Sequence, residues 1–238
     1  MLPYVSEFIG TAIMMILGNG LCANVNLDKS NMKGSGYVHV TIGWGLAVLL
    51  PAFVFGSTSG GHFNPAVTLG LAEAGKFAWA MVPGYIIAQL CGAFLGQCFV
   101  YLLFKDQFEA TTDQNAIFGC FSTRPAVRDL PRNFFTEVMC TFILVFTILG
   151  INNVEGASTV GFNYMLVFAI VVSIGMSLGG LTGYAMNPAR DLGPRIAHSI
   201  LPIKNKGTSD WHYGLIVPVW GPIVGSLLGA LLFRAIPW

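Results

Sequence analysis

The stretch TSGGHFNPAVTLG at residues 58–70 returns as LTGYAMNPARDLG at residues 181–193. Laid over one another, Asn64-Pro65-Ala66 meets Asn187-Pro188-Ala189, Gly60 meets Gly183 and Ser59 meets Thr182. Leu69 and Gly70 then meet Leu192 and Gly193. One Asn-Pro-Ala tripeptide is a chance event. Two in matching contexts, one in each half of the chain, mark a duplicated unit whose repeated element carries the function.

Composition says where that unit resides. Of 238 residues, 54% are hydrophobic and 10% charged, and the mean hydropathy is +0.68. A soluble domain carries about 25% charged residues, so this chain cannot coat a globule with water-facing side chains. It reads as a polytopic protein of the lipid bilayer. A net charge of +1 leaves no electrostatic footprint for nucleic acid. The five cysteines form no Cys-x-x-Cys pair, which points to apolar packing rather than to a metal or redox site. The first apolar stretch begins almost at Met1, a pattern that predicts no cleaved leader.

Crossing a bilayer takes about 20 apolar residues. Six stretches meet that length, near 4–25, 37–56, 82–104, 133–152, 160–179 and 213–236. Two shorter, Gly-rich pieces, 57–78 and 180–212, follow the second and fifth, and each holds one Asn-Pro-Ala. The chain therefore divides into a first repeat, 1–104, a polar connection, 105–132, and a second repeat, 133–238, together one channel domain. The repeats match elsewhere too. Glu7 and Glu137 open their first spans, each with Thr four residues on. Ala88, Gly92 and Gly96 in the third span answer Gly221, Gly225 and Gly229 in the sixth, a spacing that stacks small residues on one helix face. Three spans per repeat force the copies into opposite orientations, with their shared site near the membrane midplane.

Asn favours the helix N-cap and Pro the first turn, so a short helix is predicted to start at each tripeptide. Two such helices entering from opposite faces meet N-terminus to N-terminus, with both positive dipole ends at the centre. The preceding Gly60-Gly61-His62-Phe63 and Gly183-Tyr184-Ala185-Met186 cannot then be regular helix. Irregular backbone is tolerated at that depth only against protein or a cavity. Its carbonyls form a ladder of acceptors, Asn64 and Asn187 supply donors midway, and Phe63 and Met186 are expected to give the lumen an apolar side. Such a pore passes small neutral hydrogen-bonding solutes and repels cations and protons.

Both Asn-Pro-Ala boxes, the paired Glu residues and the run Gly-Tyr-Ala-Met-Asn-Pro-Ala-Arg-Asp together resemble the aquaporins, over residues 4–236. Within them the chain resembles the aquaglyceroporin, or glycerol facilitator, branch. The resemblance implies an all-α membrane fold, an inverted repeat of six transmembrane helices with two re-entrant half-helices. It also implies one pore per subunit, a homotetramer, cytoplasmic termini, no cofactor and no metal. Charge asymmetry points the other way: Lys29, Lys33, Arg124, Arg128, Lys204 and Lys206 share one side, against Lys76 and Arg234 on the other. Much of that count falls in the two longest connections, and the family topology is preferred.

By correspondence with the family, the selectivity filter comprises Trp44, Gly175, Tyr184 and Arg190. Gly175 is expected to free space beside Arg190, while Trp44 and Tyr184 form an apolar corner for a carbon backbone. Asp191 and Gly175 mark the glycerol branch; many of its members carry Phe where this chain has Tyr184. Arg190 at membrane depth reads as functional. Asp191 complements the half-helix dipole, and Glu7 and Glu137 brace the loop backbones. His62 reads as a pore-wall histidine before a pH gate. The expected solutes are glycerol and other small polyols with water, and undissociated lactic acid or urea are further candidates. A coupled transporter needs titratable groups at mid-membrane, where this chain has Asn64 and Asn187. No His-Glu-x-x-His motif suggests an enzyme. The lack of an Asn-x-Ser/Thr acceptor suits a bacterial plasma membrane.

Overall fold

A computed structural model describes residues 1–238, Asn152 by its backbone alone. The described residues form helices and loops only. Spanning lengths are reached by α1 (Leu2–Asn26), α2 (Gly36–Ser59), α4 (Val82–Leu103, preceded by the 3-10 turn Trp79–Met81), α7 (Leu130–Gly150) and α8 (Phe162–Thr182). A sixth span runs through α10 (Trp211–Leu215), a π-turn at Ile216–Trp220 and α11 (Gly221–Ala235). These are the six spans expected, displaced by a few residues at their ends. Two short helices, α3 (Pro65–Glu73) and α9 (Pro188–Ile200), begin at the residue after each motif Asn.

Glycine sets how closely the spans pack. A Cβ at Gly96 of α4 would lie 2.5 Å from the Ala12 carbonyl of α1, and one at Gly229 of α11 would lie 2.8 Å from the Phe142 carbonyl of α7. No side chain fits there, so α4 lies backbone to backbone on α1 and α11 does the same on α7. The two pairings are related by the internal repeat. Van der Waals contact of this kind replaces the hydrophobic effect as the force between helices in lipid.

The connection 105–132 is more structured than its polarity suggests. It holds α5 (Lys105–Ala110) and α6 (Gln114–Gly119), and it buries Phe108, Ile117, Cys120 and Phe121 in a second apolar cluster. Asp129 caps α7 by accepting from the Arg132 amide. An even number of spans leaves both termini on one face and this connection on the other.

Candidate functional site

The motif asparagines cap their helices and also cross to each other's half. Asn64 Oδ1 accepts from the Ala66 amide at 2.9 Å, and Asn187 Oδ1 accepts from Ala189 and Arg190 at 3.0 and 3.1 Å. Asn64 Nδ2 donates to the Met186 carbonyl at 2.8 Å, and Asn187 Nδ2 donates to the Phe63 carbonyl at 2.9 Å. A primary amide carries two N–H donors, so each Asn keeps one beyond this exchange. Both side chains line the same cavity. Pro65, Ala66, Pro188 and Ala189 are buried in the first turns of α3 and α9 and set the helix starts.

The backbone just before each Asn is unusual. Phe63 and Met186 take φ of +48° and +49°, and Gly60, Gly61 and Gly183 are also left-handed. Tyr184 has φ +36° at the position matching Gly61, where a side chain is strained. Glu7 and Glu137 hold these segments. Glu7 accepts from the His62 and Phe63 amides, Ser59 Oγ and Gln89 Nε2. Glu137 accepts from the Ala185 and Met186 amides and Thr182 Oγ1. Both carboxylates are fully buried. His62 Nδ1 lies 3.1 Å from Thr68 Oγ1, and its ring packs on Phe77 and Tyr85.

A narrow cavity of about 120 Å³ runs past these segments. Its lining joins Gly60, Gly61, His62, Gly183, Ala185 and the two Asn residues with the apolar side chains of Val48, Val67, Leu144 and Val171. Toward the face carrying α5 and α6 lies a vestibule of about 590 Å³. The residues common to both spaces are Trp44, Gly183, Tyr184 and Arg190, which places the constriction there. The Arg190 guanidinium lies 4.2 Å from the Trp44 ring centre and donates through Nη1 to the Phe121 carbonyl at 3.2 Å.

Two expectations change. Gly175 lines neither space: a Cβ there would lie 2.9 Å from Thr41 Cγ2 and 3.0 Å from the Tyr184 ring. Together with Gly179 it seats that ring, so the room expected beside Arg190 is taken by Tyr184. Phe63 contributes its carbonyl, but its ring is buried against Gly10 of α1 and gives the lumen no apolar surface. Met186 does line the cavity.

Asp191 does more than complement a helix end. Its carboxylate accepts from Thr123 N and Oγ1, both at 2.8 Å, and pairs with Arg195 at 2.7 Å, with both side chains fully buried. Arg195 donates onward to the carbonyls of Thr123, Ser209 and Asp210. The pair ties α9 to the loops around the vestibule. The sequence reading singled out neither Arg195 nor Gln89; a polar residue at membrane depth was the available signal.

The family profile described as "Major intrinsic protein" matches residues 2–233. "Glycerol uptake facilitator protein 3" of Lactiplantibacillus plantarum is 49% identical over 99% of this chain and 97% of its own. "D/L-lactic acid transporter" of the same organism is 42% identical over 95% and 94%. Among solved structures, the aquaglyceroporin from Plasmodium falciparum superposes with a TM-score of 0.83 at 32% identity, covering 99% of this chain and 96% of that one.

Proposed function

The chain belongs to the major intrinsic protein family, and on that premise we propose that it conducts glycerol and other small polyols, with water, passively across a plasma membrane. Membership makes it a multi-pass channel protein and not an enzyme. The observation that carries the solute class is the cavity's mixed lining of glycine-rich backbone, Asn amides and apolar side chains, meeting the vestibule at Trp44, Tyr184 and Arg190. A polyol matches both kinds of lining: hydroxyls for the carbonyls and amides, carbons for the Val and Leu side chains. Arg190 and the half-helix N-termini oppose cations.

In this reading Trp44, Tyr184 and Arg190 form the filter, Gly175 seats the tyrosine, and Asn64 and Asn187 bind solute oxygens midway. Glu7, Glu137 and Asp191 keep the irregular segments in place. The repeats, 1–104 and 133–238, supply one half-helix each to a single pore. Assembly as a homotetramer is part of this proposal, and chemical cross-linking in native membranes tests it.

Undissociated lactic acid is a second solute that one feature favours. Tyr184 lines both spaces at the constriction, and its hydroxyl has no partner among the described residues, which leaves it free to pair, as donor or acceptor, with a solute that enters there. A neutral hydroxy acid offers both chemistries.

Stopped-flow light scattering on proteoliposomes tests the main reading. A glycerol gradient should give fast shrinkage and fast recovery, and a sucrose gradient fast shrinkage alone. Shrinkage without recovery in glycerol would restrict the channel to water or another solute.

A further inference from the structure

We infer that Asn19 and Gln97, outside both motifs, are positioning residues that hold the filter arginine in place. The inference rests on the reading of Arg190 as part of the filter. Both side chains, one on α1 and the other on α4, are fully buried. Asn19 Nδ2 donates to Gln97 Oε1 at 2.5 Å and to the Phe121 carbonyl at 2.9 Å. That same carbonyl accepts from Arg190 Nη1. A hydrogen-bonded line therefore runs Gln97, Asn19, Phe121 carbonyl, Arg190, from the α1–α4 seam to the constriction.

The neighbouring residue adds a second support. At Gly18 the six-membered ring of Trp44 comes so close to α1 that a Cβ would overlap it. The Arg190 guanidinium lies over that same indole. One turn of α1 thus backs both the aromatic and the cationic walls of the filter.

The pair's side-chain hydrogen bonds among the described residues lead nowhere else. Asn19 Oδ1 and Gln97 Nε2 have no partner among the described residues. Their side chains hydrogen-bond only each other and the Phe121 carbonyl. Here the full commitment goes to the carbonyl that draws Arg190 to the wall. With Asn19 gone, that carbonyl loses its fixed orientation and the guanidinium swings toward the lumen. A three-carbon solute is hindered by that more than water is.

The test compares wild type, Asn19→Leu, Gln97→Met, Gln97→Glu and Arg190→Val in proteoliposomes, dividing glycerol permeability by water permeability on the same vesicles. Once the permeability of protein-free vesicles is subtracted from each, both scale with the number of folded channels, so poor folding alone leaves the ratio unmoved. Asn19→Leu and Gln97→Met are expected to lower it about fivefold, the change set by one net hydrogen bond of about 1 kcal/mol. Gln97→Glu keeps the acceptor for Asn19 and should keep the wild-type ratio. If Asn19→Leu cannot be produced, the Gln97 pair decides. An unchanged ratio in Asn19→Leu or Gln97→Met beside a changed one in Arg190→Val overturns the inference. An unchanged ratio in Arg190→Val overturns the filter reading beneath it. A wild type that passes water and not glycerol overturns the glycerol reading, and urea then serves as the solute in the ratio.

Discussion

Tyr184 occupies the room that Gly175 leaves, and the two positions act together. A histidine at 175 would meet the Tyr184 ring and Thr41 at once, and would push the ring off its seat at the constriction. Gly175→His is therefore expected to cut glycerol flux by more than tenfold, on the order of 1.4 kcal/mol or more of added barrier, and water flux by less; equal losses of both would remove Gly175 from the filter. Tyr184→Phe removes a buried hydroxyl with no partner among the described residues, so stability should hold or rise by up to about 1 kcal/mol. Glycerol flux should change with assembly intact, and an unaltered flux would leave the hydroxyl without a role. The sequence made Gly175 and Tyr184 visible as residue types in a pattern. It could not show that one fills the space of the other, because a ring's direction depends on the helix across from it. Phe63 was misread for the same reason: its ring goes to a gap made by Gly10, half a chain-repeat away.

The half-helices and their braces were more legible. Asn before Pro is a local stop-and-start signal, and the structure begins α3 and α9 at Pro65 and Pro188. What sequence could not supply was the set of partners that each Glu collects from a different element. Glu137 accepts three hydrogen bonds from Thr182, Ala185 and Met186. A glutamine there turns one of the two acceptor oxygens into a donor, so that with Oε1 still accepting from Thr182 and Ala185 the Met186 N–H is left facing a donor. Glu137→Gln should lower stability by about 1–3 kcal/mol, read as a fall in thermal unfolding temperature and yield. Flux per folded channel should stay near wild type at every pH. A pH-dependent flux that vanishes in the variant would instead make Glu137 a proton relay. Asn19, Gln97 and Arg195 sit among apolar or unremarked neighbours, and only their polarity at depth set them apart.

At the scale of the whole molecule, the loops opposite the termini are knitted into one cap. Arg128, from the connection between repeats, makes a two-pronged hydrogen bond to Asp210, which precedes α10. That guanidinium holds the Asp210 carboxyl below its ordinary value. A depressed carboxyl stabilises the fold above its unfolded value, near pH 4, and the contribution fades as pH falls through the folded value. Arg128 is half exposed, which limits the tie to under about 1 kcal/mol. Arg128→Ala should thus unfold slightly earlier than wild type at pH 7 and converge with it in strong acid. A gap undiminished at about pH 2, below the usual carboxylate range, would assign the effect to something other than this pair.

The crossed asparagines also bear on how the protein is made. Asn64 finds its acceptor at Met186, and Phe63 its donor at Asn187, so the first box waits on residues synthesised more than a hundred positions later. A nascent chain that has inserted only its first three spans holds an open, unmatched midplane. The channel is finished by the last part of translation, and a ribosome that stops early leaves a membrane protein with no pore rather than half of one.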